Sequence, residues 1–140
     1  MKQKAKTIAV ASTILLAGSL LSAAPAMAEG MWTSYISGAG IGFNSRTWND
    51  KQLDTATTTV KLSGCSLNNG YAFGSTHLNL WRYWGFLTVY DNLGAIQNFC
   101  NTSDWGQAQL AGDFHFSVLK INSNPNTTAT FNANVVVTNY

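Results

Sequence analysis

The chain has 140 residues, with eight lysines and arginines against six acidic residues. Three of the basic residues, Lys2, Lys4 and Lys6, lie at the very beginning, so the rest of the chain is close to neutral. Nucleic-acid binding depends on a clustered basic surface, whereas the remaining lysines and arginines are scattered between positions 46 and 120. The charge pattern therefore argues against a nucleic-acid partner.

The N-terminal segment has the composition of a bacterial secretory signal peptide. The three lysines are followed by an apolar run from Ile8 to Leu21 and by the small-residue pattern Ala26-Met27-Ala28. This order matches the charged, apolar and cleavage regions of such a peptide. The apolar run is too short and wrongly flanked for a membrane span. We therefore expect residues 1–28 to be removed and residues 29–140 to form one secreted domain, which would be periplasmic where the host has an outer membrane.

Alternation of polar and apolar side chains predicts short strands along the rest of the chain. These strands are expected at 31–37, 41–48, 55–62, 77–84, 86–90, 114–121 and 127–138. Turn-forming residues occur at 49–51, 68–70, 92–94 and 104–106. In the last strand, one face is predicted to carry Phe131, Ala133, Val135 and Val137. We expect the last two strands to pair as a C-terminal hairpin.

The composition supports an all-β fold, because threonine, valine and aromatic residues are frequent and charged residues are few. About seven or eight strands separated by closely spaced turns are typical of a single small antiparallel β-sandwich. A small closed β-barrel is the alternative. Cys65 and Cys100 are predicted to form one structural disulfide, since exported proteins fold in oxidising surroundings.

One segment, HLNLWRYWGFLTVYDNLG at residues 77–94, is rich in aromatic residues. If it forms a hairpin, its leucines and valine occupy the core face and its rings occupy the other face. That second face would carry Trp81, Phe86 and Tyr90, with Asn79 and His77 beside them. Rings edged by amides and hydroxyls suit a sugar, whose C–H face stacks on aromatic groups. Burial of the same rings in the core is the alternative.

Few residues of the chain could take part in catalysis. Glycoside hydrolysis needs two carboxylates, and most of the five aspartates lie in turn-like contexts. The G-x-S-x-G motif of serine hydrolases is absent. His77 and His115 are the only histidines, so an acid–base or zinc site would require both on one face. We therefore expect no enzyme and no cofactor; calcium bound by loop oxygens near Asp50, Asp91 or Asp104 is the metal alternative.

Arg82 falls on the apolar side of its strand. Its stem can lie along the apolar surface with the guanidinium in water, or it can pair with Asp91 or Asp104. An anion-binding role is a further alternative.

These features together favour a secreted, non-catalytic β-sandwich that binds an extracellular glycan or cell-envelope component through the aromatic segment. The alternative is a secreted antimicrobial toxin or an inhibitor of an extracellular enzyme, for which the partner would be a protein. An inhibitor would present an exposed loop beside the disulfide, such as 65–71 or 99–105.

Overall fold

The computed structural model describes residues 30–84, 89–107 and 110–140. The predicted signal peptide, residues 1–28, lies outside these ranges. The described residues form eight strands arranged in two antiparallel sheets of four strands each. The prediction of a small all-β sandwich is confirmed. Within these ranges there is no helix that could span a bilayer.

The two sheets are named here by one strand of each. The β1 sheet has the order β1-β8-β3-β6 and the β4 sheet has the order β2-β7-β4-β5. The strands are β1 (Met31–Ala39), β2 (Trp48–Asp50), β3 (Thr57–Leu67), β4 (Thr76–Trp84), β5 (Val89–Asn98), β6 (Thr102–Gln107), β7 (Gly112–Ile121) and β8 (Phe131–Asn139).

The core lies between the sheets, because alternate side chains of the central strands are apolar and point inward. Its fully buried members come from β3 and β8 on one side and from β4 and β7 on the other: Val60, Leu62, Phe131, Val136, Leu78, Leu80, Phe114 and Phe116. Trp48 joins the sheets, since its ring stacks on Phe114 of the β4 sheet and lies 5.9 Å from the ring of Trp32 in β1. Because Leu78, Leu80, Phe114 and Phe116 point into the core between the sheets, the other face of the β4 sheet points outward.

The predicted disulfide between Cys65 and Cys100 is confirmed, with the two Cα atoms 5.8 Å apart. Cys65 lies in β3, and Cys100 lies in the turn where the chain passes from β5 in one sheet to β6 in the other. The buried side chain of Asn98 also holds this turn: its amide donates to the Asn101 carbonyl at 2.9 Å and to Ser103 Oγ at 2.9 Å. The crossing between sheets is thus fixed by a covalent bond and a buried amide.

The predicted C-terminal hairpin is wrong. β7 lies between β2 and β4, whereas β8 lies between β1 and β3 in the other sheet. The connection at 122–130 is long enough to cross the roughly 10 Å between packed sheets. Both strands are central, and alternation of side chains specifies a face but not the neighbouring strand.

The strand predicted at 41–48 and the turn predicted at 49–51 are also wrong. Only Trp48–Asp50 form β2, and the preceding segment has a single isolated bridge, Asn44 to Ser117 of β7. The backbone hydrogen bonding between this segment and β7 is irregular. The Phe116 amide donates to Ser45 Oγ at 3.0 Å instead of to a backbone carbonyl. Residues 42–45 nevertheless run along β7, where the Gly42 amide donates to the Val118 carbonyl at 2.8 Å.

The prediction of which side chains of the last strand face the core is correct for only half of the strand. Phe131 and Ala133 are buried as expected, but Val135 is exposed and Val136 and Thr138 are buried in its place. The pairing with β1 shifts by one residue at this point, and the side chains of β8 that follow it face the other way.

Glycine residues explain the other differences. β3 continues through Gly64, which has φ +63°, and the Asn134 side chain lies where a β-carbon of residue 64 would be, 2.6 Å from Nδ2. The predicted turns at 92–94 and 104–106 lie inside β5 and β6, where Gly94 and Gly106 have φ of +98° and +75°. These glycines bend strands rather than end them. The predicted turn at 68–70 is confirmed.

Candidate functional site

The outward face of the β4 sheet gathers rings from three adjacent strands. In the sheet register Trp81 of β4 lies opposite His115 of β7, and Tyr83 of β4 lies opposite Tyr90 of β5. Residues paired across antiparallel strands point to the same side of the sheet. We call these four side chains, Trp81, Tyr83, Tyr90 and His115, the aromatic face.

The rings of the aromatic face contact one another. The centroids of Tyr83 and Tyr90 are 5.1 Å apart, and the ring of Tyr90 meets His115 edge-on at 6.2 Å. The indole Nε1 of Trp81 donates to Ser117 Oγ at 2.7 Å, which holds the half-buried indole against β7. Tyr90 is 54 % exposed. Tyr90 is therefore the ring of this face most open to solvent.

Two shallow concavities lie on either side of Tyr90. One, of about 420 Å³, is bordered by Tyr83, Asp113 and Thr47. The other, of about 500 Å³, is bordered by Trp81, Ser117 and Ile41. Tyr90, His115 and Asn44 line both. The two concavities adjoin at these three residues and are together called the trough, which is lined by aromatic rings and by amide, hydroxyl, imidazole and carboxylate groups.

The segment 41–47 forms one wall of this trough. The Ser45 amide donates to the Phe116 carbonyl at 2.9 Å, and the Val118 amide donates to the Phe43 carbonyl at 3.0 Å, so the segment follows β7. Asn44 thereby stands beside Ser117 on the outward face. Asn44 was missed in the sequence because it lies far from the aromatic segment; the run Gly40-Ile41-Gly42 was the only local signal of an irregular strand.

Partial burial lowers the pKa of His115 below its usual value. A neutral imidazole has one N–H donor and one nitrogen acceptor, so His115 can hydrogen-bond a hydroxyl in either direction at neutral pH. Asp113, at the edge of the trough, accepts a hydrogen bond from Asn49 Nδ2 at 2.8 Å. The trough is therefore neutral to acidic in character.

The residues predicted to bind a ligand fall into three groups. Trp81 and Tyr90 line the same concavity. Asn79 is buried between Ser117 and Ala95 in the sheet, and His77 lies further along β4 opposite Lys120, where burial and this lysine lower its pKa. Phe86 lies outside the described residues. The structure thus brings two of the five predicted residues together and adds Tyr83, His115 and Asn44 to them.

Arg82 points to the inner side of the same strand and forms an ion pair with Asp91, one of the two partners predicted for it. Three of the aspartates make the local hydrogen bond that is common in turns, although Asp50 and Asp104 lie in strands: Asp50, Asp54 and Asp104 each accept a backbone amide two positions later. Across the described ranges, no group of three or more His, Cys, Asp or Glu side chains is placed to hold a metal ion.

No protein-family model, no curated protein and no solved structure matches this chain.

Proposed function

We propose that this protein is a secreted, non-catalytic carbohydrate-binding module that holds an extracellular or cell-envelope glycan in the trough of the aromatic face. The observation that carries the proposal is the exposed ring of Tyr90 between two polar-edged concavities that share His115 and Asn44. Export is part of the proposal, because the predicted signal peptide and the disulfide are both compatible with an oxidising extracellular setting.

The chemistry of the trough suits a pyranose ring. Its C–H face can stack on the phenol of Tyr90 or the indole of Trp81, while its hydroxyls meet the side chains of Asn44, Thr47 and His115. Each concavity has the size of small-molecule binding sites, which are about 300–1,000 Å³. The open shape allows a polymer to pass through, and two concavities side by side give room for consecutive sugar units.

The electrostatics favour an uncharged glycan. Asp113 contributes negative charge to the trough, and the lowered pKa of His115 keeps its imidazole neutral at pH 7. An acidic polysaccharide would approach this carboxylate without a compensating cation among the lining residues that the structure describes. We therefore expect neutral or N-acetylated polymers to bind and alginate to be excluded.

The test is retention of the mature protein on insoluble cellulose, chitin and peptidoglycan, with Tyr90→Ala as the variant. Losing one stacking ring should weaken retention about tenfold. The matched control is Tyr35→Ala, because Tyr35 is 72 % exposed on a strand of the other sheet. Retention of the Tyr90 variant at the wild-type level, or an equal loss in both variants, would remove the trough as the binding site.

A second candidate, inhibition of an extracellular enzyme, is favoured by the turn beside the disulfide. Phe99 is exposed at its tip, directly before Cys100, and its amide donates to Asn101 Oδ1 at 3.1 Å. A rigid loop loses little entropy on binding, which is what protein inhibitors exploit. Hydrolase and growth-inhibition assays with the wild type and Phe99→Ala test this candidate, and inhibition that is insensitive to the substitution counts against it.

A further inference from the structure

A second cavity lies between the two sheets, on the opposite side of the β4 sheet from the trough. It has a volume of about 250 Å³ and opens at the edge where β5 and β6 pass each other. Its walls are mainly apolar and come from both sheets, with Leu80 and Phe114 at its base and Leu93 and Leu110 exposed at its rim. Trp105 forms one wall.

Three polar residues interrupt this apolar lining: the exposed Gln107 and the buried pair Thr58 and Arg82. Thr58 and Arg82 both line the cavity and are only 1 % and 8 % exposed. Within the described ranges, neither Thr58 Oγ1 nor Arg82 Nε has a hydrogen-bond partner. A buried polar atom without a partner costs about 1–3 kcal/mol, so an oxygen atom placed in the cavity, from water or from a ligand, would be stabilised by Thr58 and Arg82.

The charge of the site limits what can supply that oxygen. The Arg82 guanidinium already pairs with Asp91 through Nη2, so the positive charge is balanced. A second carboxylate would bring an uncompensated negative charge into a poorly solvated space. A neutral oxygen can accept the Nε–H of Arg82 and hydrogen-bond Thr58 without that cost.

We propose that this cavity binds a small neutral molecule with an apolar body and a single oxygen, such as a phenol, an alcohol or a ketone. An apolar cavity of about 150 Å³ is known to hold benzene, so this one has room for a substituted ring. The wall at Trp105 is fixed, because its Nε1 donates to the Gly94 carbonyl at 2.9 Å and is not available to a ligand. Specificity for oxygen therefore comes from Thr58 and Arg82.

The probes are p-cresol, p-xylene and 4-methylbenzoate, which share a ring and differ in the polar group. Equilibrium dissociation constants are measured by titration of amide chemical shifts in the mature wild-type protein. We expect saturable binding of p-cresol in the millimolar range or tighter, about fivefold weaker binding of p-xylene and no binding of the carboxylate. Equal affinity for p-cresol and p-xylene, preference for the carboxylate, or no saturable binding of p-cresol would overturn the proposal.

The matched variants are Thr58→Val and Thr138→Val. Thr138 is equally buried in the β1 sheet and its Oγ1 likewise has no partner among the described residues, but it does not line the cavity. Only Thr58→Val should weaken p-cresol binding, toward the affinity of p-xylene, and an equal effect of both variants would refute the role of Thr58. If Thr58→Val does not fold, the comparison of p-cresol, p-xylene and 4-methylbenzoate in the wild type still tests whether the cavity prefers a neutral oxygen. This site is independent of the trough, so Tyr90→Ala should leave p-cresol binding unchanged.

Discussion

Replacing Asp91 with alanine should destabilise the fold far more than replacing its partner Arg82 with methionine. The Arg82 side chain is 10 % exposed and the Asp91 side chain is 36 % exposed. Removing the carboxylate leaves a guanidinium buried without a counter-charge. Removing the guanidinium leaves a carboxylate that water can reach.

The magnitudes follow from this difference in burial. Breaking a buried ion pair from one side costs about 3–5 kcal/mol. The partial exposure of Asp91 shows that the pair is not fully dry, so we expect the lower end, about 3 kcal/mol, for Asp91→Ala. Methionine at position 82 can pack against Leu80 and Phe114, which line the same cavity, and should lie within about 1 kcal/mol of the wild type. The double variant should recover most of the loss caused by Asp91→Ala.

The assay is urea unfolding of the four proteins at pH 7, followed by tryptophan fluorescence with the disulfide intact. Equal slopes of the unfolding free energy against urea would show that the comparison is of native-state stability. A cost below about 1 kcal/mol for Asp91→Ala, or an equal cost for both single variants, would show that burial of the guanidinium is not what makes the pair matter.

Three further predictions concern the disulfide, a glycine and a histidine. Cys65→Ser/Cys100→Ser should lower the free energy of unfolding by about 4 kcal/mol, measured by urea unfolding, because the bridge closes a loop with a sequence separation of 35. Gly64→Ala should cost more than Gly42→Ala in thermal unfolding: both have positive φ, but a β-carbon meets a neighbouring side chain only at Gly64, and equal costs would contradict the structure. Burial lowers the pKa of His115, so its contribution to stability is present above about pH 6.5 and is lost as the pH falls through the folded-state value. His115→Gln should therefore flatten the decline of the unfolding free energy between pH 7 and pH 5, and an unchanged decline would contradict this.

The strand content and the disulfide could be predicted from sequence because both depend on local or compositional signals. Clean alternation identified β7, and the two cysteines of an exported chain have one obvious pairing. The sheet to which a strand belongs is not a local property. β7 and β8 follow each other in sequence, yet each is flanked on both sides by strands from distant parts of the chain.

The candidate site could be predicted only in part, for the same reason. Trp81 and Tyr90 lie in β4 and β5, which pair directly, so their spacing and alternation were enough to place them together. His115 and Asn44 reach the same surface through β7 and the segment beside it, and nothing near the aromatic segment points to them. Asn79 shows the converse: alternation predicted it on the outward face, but its side chain is buried.

The pairing of β1 with β8 has a mechanical consequence. At one end of this pair, Gly30 and Tyr140 exchange backbone hydrogen bonds of 2.9 and 3.0 Å, so the two points lie side by side. Tension applied through these two residues would pull β1 and β8 apart from that end. It would break the backbone hydrogen bonds between the two strands one after another rather than all at once. A domain tethered by these two positions would peel open at low force, while the loop closed by the cystine would resist extension.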